Sequence, residues 1–195
     1  LANDSALIHL NQTAQQFAKH QWSAAPMGEH IQTNDAVAPQ SIINPARHSD
    51  VVGYVQEATT EQVEQALNNA QAVQDIWART AKDTRASYLL RAADLMEARL
   101  EELMVLLCRE SGKTYANAIA EVREAVDFLR YYATQMIDLD ANAEVEPLGT
   151  MLCISPWNFP LAIFTGQVAA ALVAGNTVIA KPAEQTPLIA AQAIQ

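Results

Sequence analysis

Cysteine is scarce in this chain. Its 195 residues include two, Cys108 and Cys153, with no C-x-x-C pairing. That excludes a disulfide framework and a cysteine-built zinc site, no metal site is expected, and the usage fits a reducing compartment, the cytoplasm. Positive charge is also short: 12 Lys and Arg stand against 22 Asp and Glu, a net charge of −10. Such a chain lacks the clustered cations that hold phosphates, so no nucleic-acid partner is expected. Glycine is sparse, and none of the six (28, 53, 112, 149, 166, 175) lies two positions from another. A G-x-G-x-x-G dinucleotide turn is therefore absent, as are G-x-S-x-G and H-E-x-x-H. Long apolar runs are missing too. Positions 148–180 carry no charge, but Pro156, Asn158, Pro160, Gln167 and Gly175-Asn176 interrupt them. No piece reaches the ~20 continuous apolar residues of a membrane span. No basic segment leads into an apolar stretch near Leu1, so no signal peptide is expected. The chain opens without Met and closes at Gln195 inside an apparent helix, and it reads as a segment of a larger protein.

What is present is core-forming material: 50% hydrophobic residues and 17% charged ones exclude a disordered chain. Charge is concentrated in the front, and after position 147 only Lys181 and Glu184 carry any. A helix is expected around Ser5–His20, then a Pro- and polar-rich stretch to about Gln40. Two short extended pieces follow within Ser41–Val55 around Asn44-Pro45. Three helices come next. One starts near Thr59, with Gln62 completing a capping box, and its stripe Val63, Ala66, Ala70, Val73, Trp77 reads as core. The second runs from about Asp83 to Glu110, with Leu89, Ala93, Met96, Leu100, Leu103 and Leu107 at spacings of four and three, and Gly112 ends it. The third carries Ile119, Val122, Val126, Leu129, Ala133 and Met136. The rear changes period. Thr150–Ile154 and Thr177–Ala180 are apolar runs of strand length, with a helix over Phe159–Ala174 between them. Thr186 as N-cap, followed by Pro187 at the first helical position, starts another helix. This β–α–β–α order, with fully apolar strands, predicts an α/β fold whose parallel sheet is covered on both faces.

Gly112-Lys113-Thr114 invites a P-loop reading, but that motif needs a glycine where Leu107 stands and follows a strand rather than a helix. Helix termination is the better reading. Two other segments carry information, one after each rear strand: Ile154-Ser155-Pro156-Trp157-Asn158-Phe159-Pro160-Leu161 and Lys181-Pro182-Ala183-Glu184. Parallel sheets bind ligands at the carboxyl ends of their strands. Glu184 is placed to accept from ribose hydroxyls, with Lys181 donating to the ribose or a phosphate; the alternative is a surface Lys–Glu pair three apart. The Asn158 amide, between two aromatics in a proline-stiffened turn, suits an oxyanion donor. The alternative, a cap for the following helix, is the commoner role.

SPWNFPL followed by GNTVIAKPAEQTP closely resembles the NAD-dependent aldehyde dehydrogenase superfamily. INPARHSDVVGYV, the helix ending in RESGK, and EVREAVDFLRYYA fit it as well, in order over roughly 41–195. Within it the wording is most similar to the L-glutamate γ-semialdehyde (1-pyrroline-5-carboxylate) dehydrogenase part of bifunctional proline utilization A proteins. The resemblance implies a truncated fold: residues 1–40 a linker and N-terminal helix region, 41–147 a helical front, and 148–195 the first βαβ of a Rossmann-like NAD-binding unit. It implies Asn158 as oxyanion donor, Ile154, Ser155 and Trp157 lining the cofactor cleft, and Lys181 and Glu184 at the adenosine ribose. Phe159 would flank the aldehyde tunnel, and Glu124 would face the α-ammonium group of the substrate, glutamate semialdehyde. NAD is the implied cofactor, with FAD only in a proline dehydrogenase part outside this chain, and the parent is expected to be a homo-oligomer. The family's cysteine nucleophile, in a motif like GQRC, is missing here, as are its general-base Glu and Gly-rich cofactor turn. All three are expected beyond Gln195, so the chain alone is expected to be inactive. A dehydrogenase for another aldehyde and a non-catalytic helical interaction module are the competing readings.

Overall fold

The computed structural model describes residues 3–29, 31, 37–139 and 145–195. The middle of the stretch expected to run irregularly to Gln40 lies outside them. The first helix, α1 (Asp4–Gln16), starts on Asn3, whose side chain accepts the Ser5 N–H at 2.9 Å. A strand that the sequence did not signal follows, β1 (Trp22–Ala24). It runs parallel to β3 (Val51–Val55), which pairs antiparallel with β2 (Gln40–Ile43). Three residues are too few to show alternation, so only the tertiary pairing reveals β1. Arg109 secures this corner. Its guanidinium lies 2.6 Å from an Asp50 oxygen, donates to the carbonyls of Phe17 (2.9 Å) and His20 (2.6 Å), and sits over the Trp22 ring. The same contact holds the Asp50 carboxyl below its ordinary pKa.

In α2 (Thr60–Arg79) the capping box forms as the sequence indicates: Thr59 and Gln62 exchange hydrogen bonds of 2.8 and 3.3 Å. Its apolar stripe does not become core throughout. Ala70 is buried, whereas Val63 and Val73 stay 45% and 41% exposed. The reason is geometric, since α2 meets the fold mainly along the second rear strand, through polar groups near its C-terminal end. Gln74 donates to the Gly175 carbonyl and accepts from the Thr177 N–H, and the Trp77 indole N–H donates to the Leu172 carbonyl.

The long second helix is two: α3 (Lys82–Ala98) and α4 (Leu100–Ser111). The break is at Arg99, at φ −104° and ψ 15°. Its N–H turns back to the Met96 carbonyl three residues away, and its guanidinium is tied to both Glu102 oxygens and the Gln192 carbonyl. That tether redirects α4 against α1 and a later helix, a constraint no periodicity records. Gly112, at φ 69°, closes α4 in the left-handed region as expected. Thr114 then caps α5 (Tyr115–Asp138) by accepting the Asn117 N–H. Leu103, Met104, Leu106 and Leu107 of α4 are fully buried, with Leu89 and Ala93 of α3 and Val122 and Ala125 of α5 around them.

The rear is β4 (Met151–Ile154), α6 (Ala162–Val173), β5 (Val178–Lys181) and α7 (Pro187–Ile194), with β4 and β5 parallel. Gly175, at φ 90°, makes the turn out of α6. Cys153 packs with Phe164, Val168 and Ala190 on one sheet face. The expectation of two covered faces is not met: Leu152 and Ile154 remain 63% and 56% exposed, because α6 and α7 pack on the Cys153 side and α2 meets β5 without covering β4 among the described residues. No helix among the described residues is long and apolar enough to cross a membrane.

Both rear helices start on carboxylates borrowed from the front. Glu121 of α5 accepts the N–H groups of Leu161 (2.8 Å) and Ala162 (3.3 Å), at the start of α6. Glu110 of α4 accepts those of Leu188 (2.7 Å) and Ile189 (2.9 Å), at the start of α7. Thr186, expected to cap α7, does not: its side chain makes no cap bond and its hydroxyl is buried without a partner among the described residues. Glu110 has taken its place.

Burial pushes the Glu110 carboxyl up to about 8 from an ordinary 4.5, against the pull of the two N–H donors. The folded state therefore holds this proton more tightly than the unfolded one. Its contribution to stability is complete below pH 4.5 and is lost as pH rises through about 8. The expected result is a denaturation midpoint that declines across that window. Glu110→Gln, neutral at every pH, should flatten the decline, and a slope equal to the parent's would show that another group is responsible.

Candidate active site at the sheet edge

Parallel pairing brings the carboxyl ends of β4 and β5 side by side. Ile154 is the cross-strand partner of Lys181, and the Ser155 N–H donates to the Lys181 carbonyl at 3.2 Å. The two informative segments therefore share one sheet edge, with Ile154, Trp157, Asn158, Phe159, Lys181 and Glu184 all exposed. Ser155 is buried beneath them, its hydroxyl unpartnered among the described residues.

Lys181 does not pair with Glu184. Its ammonium donates to the Pro182 carbonyl at 3.1 Å, and no ion pair among the described residues involves Glu184. Asn158 does not cap α6 either. That helix has no side-chain cap of its own, and Glu121 holds its first N–H groups. Nothing among the described residues is hydrogen-bonded to the Asn158 side chain, so its NH₂ is available as a donor.

Glu124 is placed differently. It is exposed on α5, one turn beyond Glu121 and one turn before Phe128, whose ring packs on Gly166 of α6. Among the described residues it has no hydrogen bond or ion pair, and no contact ties it to Asn158. Burial pushes Cys108 up to about 11 and raises Cys153 as well, so neither is a thiolate near neutrality. Two residues that hold this loop, Glu121 and Lys113, escaped the sequence reading. Glu121 looked like any helix charge, and only the fully apolar positions beside it, Ala118, Val122 and Ala125, placed it on a buried face.

The donor set suits a dinucleotide. A carboxylate and an ammonium, neither engaged with the other, offer an acceptor and a donor for ribose hydroxyls. Exposed Ile154 and Trp157 offer apolar surface to a flat ring, and the Ser155 hydroxyl lies unsatisfied beneath.

Comparison with known proteins gives the family of the chain. The bifunctional protein PutA of Escherichia coli K12 is 56% identical over 194 residues, all of this chain but 14% of that protein. The 1-pyrroline-5-carboxylate dehydrogenase of Anoxybacillus flavithermus is 39% identical over 97% of the chain and 38% of its own length. The Thermus 1-pyrroline-5-carboxylate dehydrogenase solved with bound NAD superposes with a TM-score of 0.92 at 32% identity, covering 100% of this chain and 40% of that one. The chain thus spans about a seventh of the bifunctional relative and under half of the other two. The model of the aldehyde dehydrogenase family matches residues 31–195, and the chain belongs to that family.

Proposed function

We propose that this chain is the first part of a dehydrogenase domain that oxidises L-glutamate γ-semialdehyde to L-glutamate with NAD⁺, within a longer cytoplasmic protein that also carries an FAD-dependent proline dehydrogenase and self-associates. The observation that carries the reading is the free Asn158 amide at the edge where β4 and β5 end, left unused because Glu121 starts α6 instead. In this reading Asn158 donates to the aldehyde oxygen as negative charge develops on it. Phe159 walls the approach to that oxygen. Lys181 and Glu184 hold a ribose, and Ile154, Ser155 and Trp157 form the wall behind it. Bound NAD⁺ supplies the hydride acceptor. The nucleophile is a thiolate other than Cys108 and Cys153, both of which are protonated near neutrality. Glu124 offers its exposed carboxylate to the substrate's α-ammonium group.

The test is NADH formation by the full-length protein over a panel of aldehydes. The highest kcat/KM should fall on glutamate semialdehyde; a simple aliphatic aldehyde used as well would overturn the substrate, and no NADH at all would overturn the reading. Lys181→Ala should raise the KM for NAD about tenfold, the loss of one charge-assisted hydrogen bond, with little change in kcat. An unchanged KM would remove Lys181 from the cofactor wall.

A further inference from the structure

Lys113 is the middle residue of the tripeptide that imitates a P-loop, and the structure gives it another task. Gly112 ends α4 and Thr114 caps α5, so Lys113 sits on the tight turn between two helices, its side chain 12% exposed. Its ammonium reaches across to the loop between β4 and α6. It donates to the Asn158 carbonyl at 2.8 Å, lies 2.9 Å from Glu121 Oε2, and stands 4.4 Å from the centre of the Phe159 ring. The approach to Glu121 is an ion-pair contact and not a directed hydrogen bond. The other Glu121 oxygen holds the N–H groups of Leu161 and Ala162. The segment 158–162 is thereby gripped at both ends, at its first carbonyl and at its last two amides.

We infer that Lys113 is a positioning residue for the reaction proposed above: bridging Glu121 and the Asn158 carbonyl, and seated on the Phe159 ring, it sets the aim of the Asn158 amide without touching substrate. A carbonyl held from one side fixes the peptide plane from which the Asn158 side chain departs. A misplacement of about 1 Å at an oriented donor is enough to slow a reaction strongly. This inference rests on the dehydrogenase reading.

The test uses the full-length protein, with Lys113→Met, which keeps the stem and loses the charge, and Lys113→Arg, which keeps charge and stacks on an aromatic face. K113M should lower kcat about tenfold or more with the KM for NAD within about twofold of the parent, since the donor is misaimed while the cofactor wall is intact. K113R should recover kcat to within about threefold. Hydrogen exchange followed by mass spectrometry should show faster exchange at amides 158–163 in K113M, with α3 unchanged as the record that the protein is folded. A kcat for K113M within about twofold of the parent, a rise in the KM for NAD matching the fall in kcat, or unchanged exchange at 158–163 would overturn the assignment. If K113M does not fold, K113R decides: exchange at 158–163 as slow as in the parent with kcat recovered upholds the clamp, and kcat lost despite that slow exchange refutes it. A parent inert toward every aldehyde defeats the dehydrogenase reading by itself, and the clamp is then judged on the exchange alone.

Discussion

Asn158→Ala in the full-length protein should lower kcat by about 10²–10³, with the KM for NAD nearly unchanged. The size follows from when the interaction matters. An amide N–H aimed at a carbonyl oxygen does little for the neutral aldehyde and much for the oxyanion, so its loss falls on the transition state and appears in kcat. The structure makes the substitution clean. The Asn158 side chain supports no helix start, because Glu121 holds the first N–H groups of α6, and it is exposed. Truncation should therefore leave the melting temperature within a degree or two, since exposed sites free of such features contribute little to stability. Steady-state kinetics with a parallel thermal melt checks both halves. A kcat within about threefold of the parent would remove the oxyanion role from Asn158.

Glu121→Ala should be the most destabilising single change, costing about 3–5 kcal/mol in the unfolding free energy. Its side chain is fully buried, and removing it takes the charge partner from the nearly buried Lys113 ammonium, which keeps only the Asn158 carbonyl and the Phe159 ring, and leaves the N–H groups of Leu161 and Ala162 without their acceptor. Breaking one side of a buried pair costs far more than the pair contributes when intact. Denaturant titration gives the value. Glu121→Gln, which keeps an acceptor for the two amides but not the charge, should recover part of it. In a double-mutant cycle with Lys113→Met the two changes should be strongly non-additive. A cost below about 1 kcal/mol for Glu121→Ala would mean that α6 starts on its own.

What could be read in the sequence was whatever depends on neighbours along the chain. The Thr59–Gln62 box, the left-handed stop at Gly112, Pro187 at the first turn of α7 and the β4–α6–β5 order all have short-range causes. The misses have long-range ones. Arg99 bends a continuous stripe into two helices because Gln192 lies on its far side. β1 exists only as a partner of β3, and Thr186 loses its cap position to a carboxylate 76 positions earlier, at Glu110. For the site, the residues at the strand ends were legible because a parallel sheet dictates which ends converge. Their alternatives were not excluded until the partners of Lys181, Asn158 and Glu121 were seen. Lys113 was hidden by its motif, which pointed to phosphate while the side chain turned to Asn158.

The borrowed helix starts also impose an order of assembly. Glu110 and Glu121 precede the segments they serve by 78 and 40 positions, so both acceptors leave the ribosome before the amides they receive. The helical front can be in place as a template when the β4–α6–β5–α7 portion emerges, and that portion has no comparable acceptors of its own. A peptide beginning at position 148 would present two helix beginnings with nothing to dock onto, which makes this rear portion a dependent of the part translated before it.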